Sequence, residues 1–212
     1  MKRGQAEVVR EYGPFTGVKN VGGVSYDGER VWFAAGEQLK AIDPASGATV
    51  RTIDVAAQAG TAFDGRHLFQ IADGRIRRID PNSGDVLATI PAPAGGGDSG
   101  LAWAEGSLWV GDYRGRRIHR IDPDTGAVLR TIESDRFVTG VTWVDGELWH
   151  ATWEGDESEL RHIDAQTGAV VESLSMPDGM LCSGLEYDGA DRFYCGGGDS
   201  GKVRAVRRPR AR

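Results

Sequence analysis

Few side chains in this chain could carry covalent or acid–base chemistry, and four of them fall in its last third. They are His150, Cys182, Glu186 and Cys195. Two thiols and an imidazole could hold a soft divalent metal such as zinc or copper. A thiolate beside a carboxylate or an imidazole could instead serve as nucleophile or proton donor. Catalytic roles are therefore assigned to Glu186, His150 and Cys195. The metal set would be Cys182, Cys195 and His150, with Cys182 also counted among ligand-binding residues. The same cysteines fit small buried hydrophobes equally well, with His150 capping a loop. There is no HExxH, CxxC or phosphate-binding Lys-Ser/Thr loop.

The elements that must position these residues come from a repeat. The phrase Ile-Asp-x-x-x-Gly reads IDPASG from Ile42, IDPNSG from Ile79, IDPDTG from Ile121 and IDAQTG from Ile163. Its aspartates stand at 43, 80, 122 and 164, at intervals of 37, 42 and 42. Upstream of each lies Gly-x-x-aromatic and a turn, from Gly23, Gly60, Gly100, Gly140 and, a fifth time, Gly184. A strand-rich period of about 40 residues marks a propeller blade. Asp-Gly tolerates the positive φ of a tight hairpin, and Pro-x-x-Gly makes a second turn. The expected fold is all-β: a five-bladed β-propeller, four antiparallel strands per blade, in one domain over 1–212. The blades would span 21–55, 58–92, 98–133, 138–175 and 182–208. The last lacks a fourth strand, and AEVVREY (6–12) resembles the fourth strands TVRTI and VLRTI. Residues 6–12 should therefore pair with the strand around 202–207 and close the ring, removing an exposed edge.

Short, repetitive turns would occupy one face of the wheel and variable loops the other, where propellers place binding residues. Position-by-position comparison finds departures there. Two residues after the blade glycine stand Ser25, Ala62, Ala102, Thr142 and then Glu186. Two before it stand Val21, Gln58, Asp98, Val138 and Cys182. On the second strand the matched column is Phe33 or Ala34, Gln70, Val110, His150 and Cys195. Period-two alternation puts 182, 184 and 186 on one face, with Cys195 opposite Gly184. That gathers Glu186, Cys182, Cys195 and His150 at the seam of blades four and five. Asn20, Gln58, Asp98 and Trp153 would supply ligand contacts around the channel. The other five tryptophans occupy repeat positions and read as core. GGGDSG occurs twice, at 95–100 and 196–201, as flexible loop.

Net charge is −6 and the pI about 5.3, which argues against nucleic acid as the main partner. Arg204, Arg207, Arg208, Arg210 and Arg212 read as a solvated basic tail. No apolar run reaches the roughly 18 residues of a membrane span, and MKRGQ lacks a signal peptide's apolar stretch. The expectation is a cytoplasmic monomer that meets no membrane and binds a small molecule.

FTG (15–17), GLEYDG (184–189) and GELWHATWEG (146–155), followed by IDAQTG, resemble the glutaminyl cyclotransferases of plant and bacterial type. Streptogramin-lyase-like and gluconolactonase-like propellers share the same frame. The resemblance implies a five-bladed propeller that turns amino-terminal glutamine into pyroglutamate. The family's Phe-Thr-Gln-Gly-Leu appears here without its glutamine. Its Glu-Ser-Thr-Gly matches Phe33–Gly36 and Tyr194–Gly197, neither with an acid. Trp149 and Trp153 keep both tryptophans of Trp-Ala-Asn-x-Trp without the asparagine. Three functions follow: a small-molecule-binding propeller, with or without activity as a lyase, hydrolase or cyclotransferase; a thiol or soft-metal protein; and an interaction scaffold, though the Gly-His and Trp-Asp marks of WD-type propellers are missing.

Overall fold

A computed structural model describes residues 1–209. Two short strands open the chain, β1 (Lys2–Gln5) and β2 (Val8–Tyr12). Blade one follows as β3 (Val24–Tyr26), β4 (Val31–Ala34), β5 (Leu39–Ile42) and β6 (Thr49–Ile53). Blade two is β7 (Thr61–Phe63), β8 (Leu68–Ala72), β9 (Arg75–Ile79) and β10 (Val86–Pro91). Blade three is β11 (Asp98–Ala104), β12 (Ser107–Asp112), β13 (Arg117–Ile121) and β14 (Val128–Glu133). Blade four is β15 (Val138–Val144), β16 (Glu147–Glu154), β17 (Glu157–Ile163) and β18 (Val170–Ser175). Blade five is β19 (Gly184–Tyr187), β20 (Arg192–Gly196), β21 (Val203–Arg207) and, from the other end of the chain, β2. The five antiparallel sheets form an all-β propeller, and among the described residues no helix is long and apolar enough to cross a membrane.

Ring closure takes the expected form: β2 pairs antiparallel with β21, with Val8 opposite Val206 and Tyr12 opposite Val203. Glu11 accepts from Arg204 Nε at 2.9 Å and from Lys202 Nζ at 3.1 Å. β1 adds a feature with no repeat signature, lying parallel along the outer edge of blade four from Lys2–Glu172 to Gln5–Ser175. The basic tail is not free in solvent. Arg204 is buried, Arg207 meets Glu7, and Arg208 reaches Asp145 and Glu147 of blade four. Guanidiniums so close to carboxylates fold back to pair with them. Arg210 and Arg212 lie outside the described residues.

The axis is closed by glycine. A Cβ built on Gly60, Gly100 or Gly140 would stand 2.5–2.6 Å from the backbone nitrogen of Leu101, Val141 or Leu185 on the next blade. One on Gly184 would meet Gly22 O and Val24 N at 2.8 Å, and Gly23 is equally crowded by Thr61 N. The five innermost strands thus touch backbone to backbone, which only a residue without a side chain allows.

The repeated turns do similar work at the rim. Each turn aspartate caps its own turn: Asp43 accepts from Ala45 N–H and Asp122 from Thr125 N–H, both at 2.8 Å. An arginine from the preceding blade's outer strand then holds the turn. Arg10 Nη1 donates to Pro44 O at 2.9 Å, Arg51 Nε to Pro81 O at 3.0 Å, and Arg130 Nη2 to Gln166 O at 2.6 Å. Tight hairpins of blades three and four carry Glu105-Gly106 and Asp145-Gly146, all four at positive φ, as a type I′ turn requires. Between blades, Trp32, Trp109 and Trp149 are buried, while Trp103 stacks on Phe69 and Trp143 packs tilted against Trp109.

Replacing Gly140 by alanine should cost at least ~2 kcal/mol, because backbone and not a yielding side chain must move; chemical denaturation of the two proteins measures it. Deleting residues 1–12 should expose the β21 edge and turn a soluble, cooperatively melting protein into an aggregating one, as read by light scattering and calorimetry.

Candidate functional site

The variable loops surround a cavity of about 850 Å³ at the axial mouth on one face. Its floor is the set of residues immediately preceding the glycine ring: Gly22, Ala59, Ser99, Thr139 and Ser183. Its walls include Asn20, Gln58, Asp98, Asp112, Tyr113, Arg114 and Trp153. Four of the expected ligand residues, Asn20, Gln58, Asp98 and Trp153, therefore share this space.

The other expected residues are not brought into it. In blades three and four the register slips between Asp98 and Leu101 and between Val138 and Val141. Such a bulge breaks period-two alternation. It turns the residue just before the glycine toward the axis and Val138 into the core. In blade five Cys182 is likewise fully buried while Ser183 lines the cavity. Cys195 does not sit opposite Gly184. It pairs with Leu185, and Gly184 pairs with Gly196. His150 pairs with Val141 in the same way. Residues directly opposite share a face, so this column points between blades and away from the axis.

Cys182 and Cys195 do meet, in an apolar cluster with Trp149, Leu160, Leu185 and Phe193. The Cys195 thiol hydrogen-bonds to Cys182, and that bond together with burial pushes it well up. His150 does not join them as a ligand. Among the described residues, no group of three or more His, Cys, Asp or Glu side chains stands close enough to hold a metal ion. His150 is buried with Nδ1–H donating to Ala151 O at 3.3 Å. Burial pushes its pKa down to about 4, so the imidazole is neutral near pH 7.

Glu186 lies on the far side of the glycine ring from the cavity. It shares the next axial layer with Ser25, Ala62, Ala102 and Thr142, two residues beyond each ring glycine. A strip of its surface stays open, yet protein surrounds the carboxyl, and this burial pushes its pKa up to about 8. The opposing pulls come from the Tyr187 N–H and from Thr142 Oγ1 at 3.5 Å. With no cation beside it, the carboxyl is held largely neutral at pH 7.

Three floor hydroxyls link one blade to the next. Ser99 Oγ donates to Val138 O at 2.6 Å, Thr139 Oγ1 to Cys182 O at 2.7 Å, and Ser183 Oγ to Val21 O at 2.6 Å. Other lining donors are also engaged by the protein. Asn20 Nδ2 donates to Asp199 at 2.7 Å and Gln58 Nε2 to Asp73 at 3.1 Å. Tyr113 O–H donates to Trp153 O at 3.3 Å and Trp153 Nε1 to Gly155 O at 3.0 Å. Asp98 accepts from the N–H groups of Ala94 and Gly96, which shapes the first GGGDSG loop into cavity wall. Asp112 accepts from Gly115 N–H through Oδ1, and its Oδ2 is 3.9 Å from His119 Nε2. Ser99, Thr139, Ser183, Asp112, Tyr113 and Arg114 lie in the variable loops of the expected binding face but carry no individually expected role. The hydroxyls before Gly100, Gly140 and Gly184 were the available signal, since blades one and two have Gly22 and Ala59 there.

Fold and cavity together define a five-bladed propeller with a loop-lined pocket over a sealed axis. Structure comparison agrees on the fold. The crystal structure of Myxococcus xanthus glutaminyl cyclase superposes with a TM-score of 0.80 at 18% identity, covering 97% of each chain. A chain of a mitotic checkpoint complex gives 0.59 at 12% identity, over 98% of this chain and 93% of that one. No curated protein sequence matches. The sequence model of the PQQ_2 family, described as outer membrane protein assembly factor BamB, matches residues 72–209, and the chain belongs to that family.

The two shifted groups bend stability in opposite directions. Glu186 is raised in the folded state from 4.5 to about 8, so its contribution is complete below pH 4.5 and lost as pH rises toward 8. His150 is lowered from 6.5 to about 4, so its contribution is complete above pH 6.5 and lost as pH falls toward 4. Glu186→Gln should therefore gain up to ~4 kcal/mol over wild type at pH 8.5 and almost nothing at pH 4.5. Urea denaturation at the two pH values reads the difference, and equal gains at both would contradict the placement.

Proposed function

We propose that the protein binds a small ligand carrying a primary ammonium group in the cavity above the glycine ring. One observation carries this reading: the hydroxyl and indole donors that line the cavity are spent on protein acceptors, Asn20 and Gln58 each commit one amide N–H, and Arg114 at the rim stands apart. Ser99 and Thr139 offer lone pairs to whatever enters, and Asp112 offers Oδ2. A ligand that brings its own donors and a positive charge satisfies such a surface; one that brings acceptors leaves it unpaired. Two lining carboxylates against one guanidinium favour the same charge. Trp153 and Tyr113 add aromatic surface for the rest of the ligand.

If the site also turns its ligand over, as a lyase, hydrolase or cyclotransferase, acid–base work at the ammonium falls to Asp112 or Asp98. Glu186 stands beyond the ring, and His150, Cys182 and Cys195 lie between blades. The likeness to a glutaminyl cyclase supports trying a peptide with amino-terminal glutamine as the first substrate.

Calorimetric titration with glutamine amide and a glutaminyl peptide, beside their N-acetylated forms, tests the reading. The free amines should bind, acetylation should weaken binding at least tenfold, and Asp112→Asn should do the same with little change in melting temperature. Equal binding of free and acetylated forms, or none of either, would rule it out. Release of ammonia from the glutaminyl peptide separates catalysis from binding.

A second reading, a protein-docking propeller, is favoured by family membership and by exposed aliphatics on the outer strands. Val50 is 52% exposed, Leu87 49% and Leu129 57%. It requires a partner whose capture is lost in Leu87→Asp with Leu129→Asp, while amine titration is unchanged.

A further inference from the structure

We propose that Cys182 and Cys195 form a redox modification site, at which a peroxide converts the dithiol into an intramolecular disulfide that locks the seam between blades four and five. These are the chain's two cysteines. They come from separate elements, one in the connection between β18 and β19 and the other in the middle strand β20. They nevertheless come together in one buried apolar cluster, with the Cys195 thiol within hydrogen-bonding reach of Cys182, whose own S–H donates to Gly184 O at 3.1 Å. Both are free and fully buried. A chance pair of core residues would need no such contact between sulfurs, and the cluster around them has room for any small apolar side chain.

The surroundings assign the roles. Cys195 is held on both sides, by β19 and by β21, in the middle of a sheet. Cys182 belongs to an irregular segment, tied to blade four by its N–H to Ser158 Oγ at 2.9 Å and by its carbonyl, which accepts from Thr139. Opening of that segment brings Cys182 to solvent first. Its sulfur attacks one peroxide oxygen, the O–O bond breaks, and the departing oxygen leaves as water, giving a sulfenic acid. The Cys195 sulfur then attacks the sulfenic sulfur. The S–O bond breaks, the S–S bond forms, and the second oxygen leaves as water with the remaining thiol proton. Two thiols are oxidised by two electrons and one peroxide is reduced to two waters.

The bond would staple β20 to the segment whose backbone already holds blade four. It would also fix the residue preceding Ser183, which hydrogen-bonds across to blade one. This inference is independent of the ammonium reading.

The full chain, treated with hydrogen peroxide, quenched, denatured and alkylated with iodoacetamide, provides the test by intact mass. Expected is a loss of two mass units with no alkylation, monomeric migration on a non-reducing gel, full reversal by dithiothreitol, and a melting temperature several degrees higher. Tryptic peptides of the wild-type protein should include one species joining the segments that hold Cys182 and Cys195, a readout independent of any variant. Cys182→Ala should leave Cys195 unmodified by peroxide in the native state, whereas Cys195→Ala should leave Cys182 as a trappable sulfenic acid. Two alkylated thiols after peroxide, a disulfide between molecules, or over-oxidation of one cysteine with the other untouched would each overturn the proposal.

Discussion

Everything in this molecule is referred to the contact of five glycine backbones about the axis. Each innermost strand lies so near the next that Gly23, Gly60, Gly100, Gly140 and Gly184 have no space for a Cβ. That contact fixes the radius of the wheel and hence the angle between blades. It also divides the axial channel in two. Above it is a cavity with three hydroxyls in its floor; below it is a mostly buried layer with a single carboxyl. A residue's chemistry therefore depends on which side of the ring it occupies, and one step along a strand decides that.

The inter-blade bonds follow from the same geometry. At the floor, Ser99, Thr139 and Ser183 each reach the carbonyl of the next blade, so strength at the axis comes from groups that also line the cavity. At the rim, Arg10, Arg51 and Arg130 grip the next blade's turn. Blade two has Ala88 and blade four Glu172 where the other three have arginine, and from blade two Arg78 reaches Asp124 instead. A propeller is stabilised by neighbour contacts, so these two circles of bonds hold it at both radii.

The architecture was legible in the sequence because it is encoded in turns. Asp-Pro-x-x-Gly and Asp-Gly allow few backbone solutions, and their spacing counted the blades. Even the borrowed strand could be read, since AEVVREY matches TVRTI in pattern. The site was legible only in part. Asn20, Gln58, Asp98 and Trp153 stood out because they interrupt a repeat and lie in loops of one face. The grouping of Glu186 with Cys182, Cys195 and His150 failed for a local reason: the β19–β20 hairpin sets Cys195 opposite Leu185 and not Gly184, while bulges ahead of Gly100 and Gly140 displace the alternation in blades three and four, and a one-residue shift exchanges axis for core. Hydrogen-bond donors already engaged elsewhere leave no trace in composition, so the acceptor character of the cavity needed coordinates. β1, which adds to blade four without any repeat motif, needed them too.

The pairing of β2 with β21 also sets an order of events. Val8 finds its partner Val206 only after every intervening blade has been synthesised. Until then a nascent chain holds four nearly complete blades and one waiting strand, with the first and last blades unable to meet. Closing the wheel is the most distant contact in the sequence and a late event in the life of the polypeptide. A ribosome stalled before residue 203 would hold an open arc whose axis is not yet sealed and whose cavity has no fifth wall.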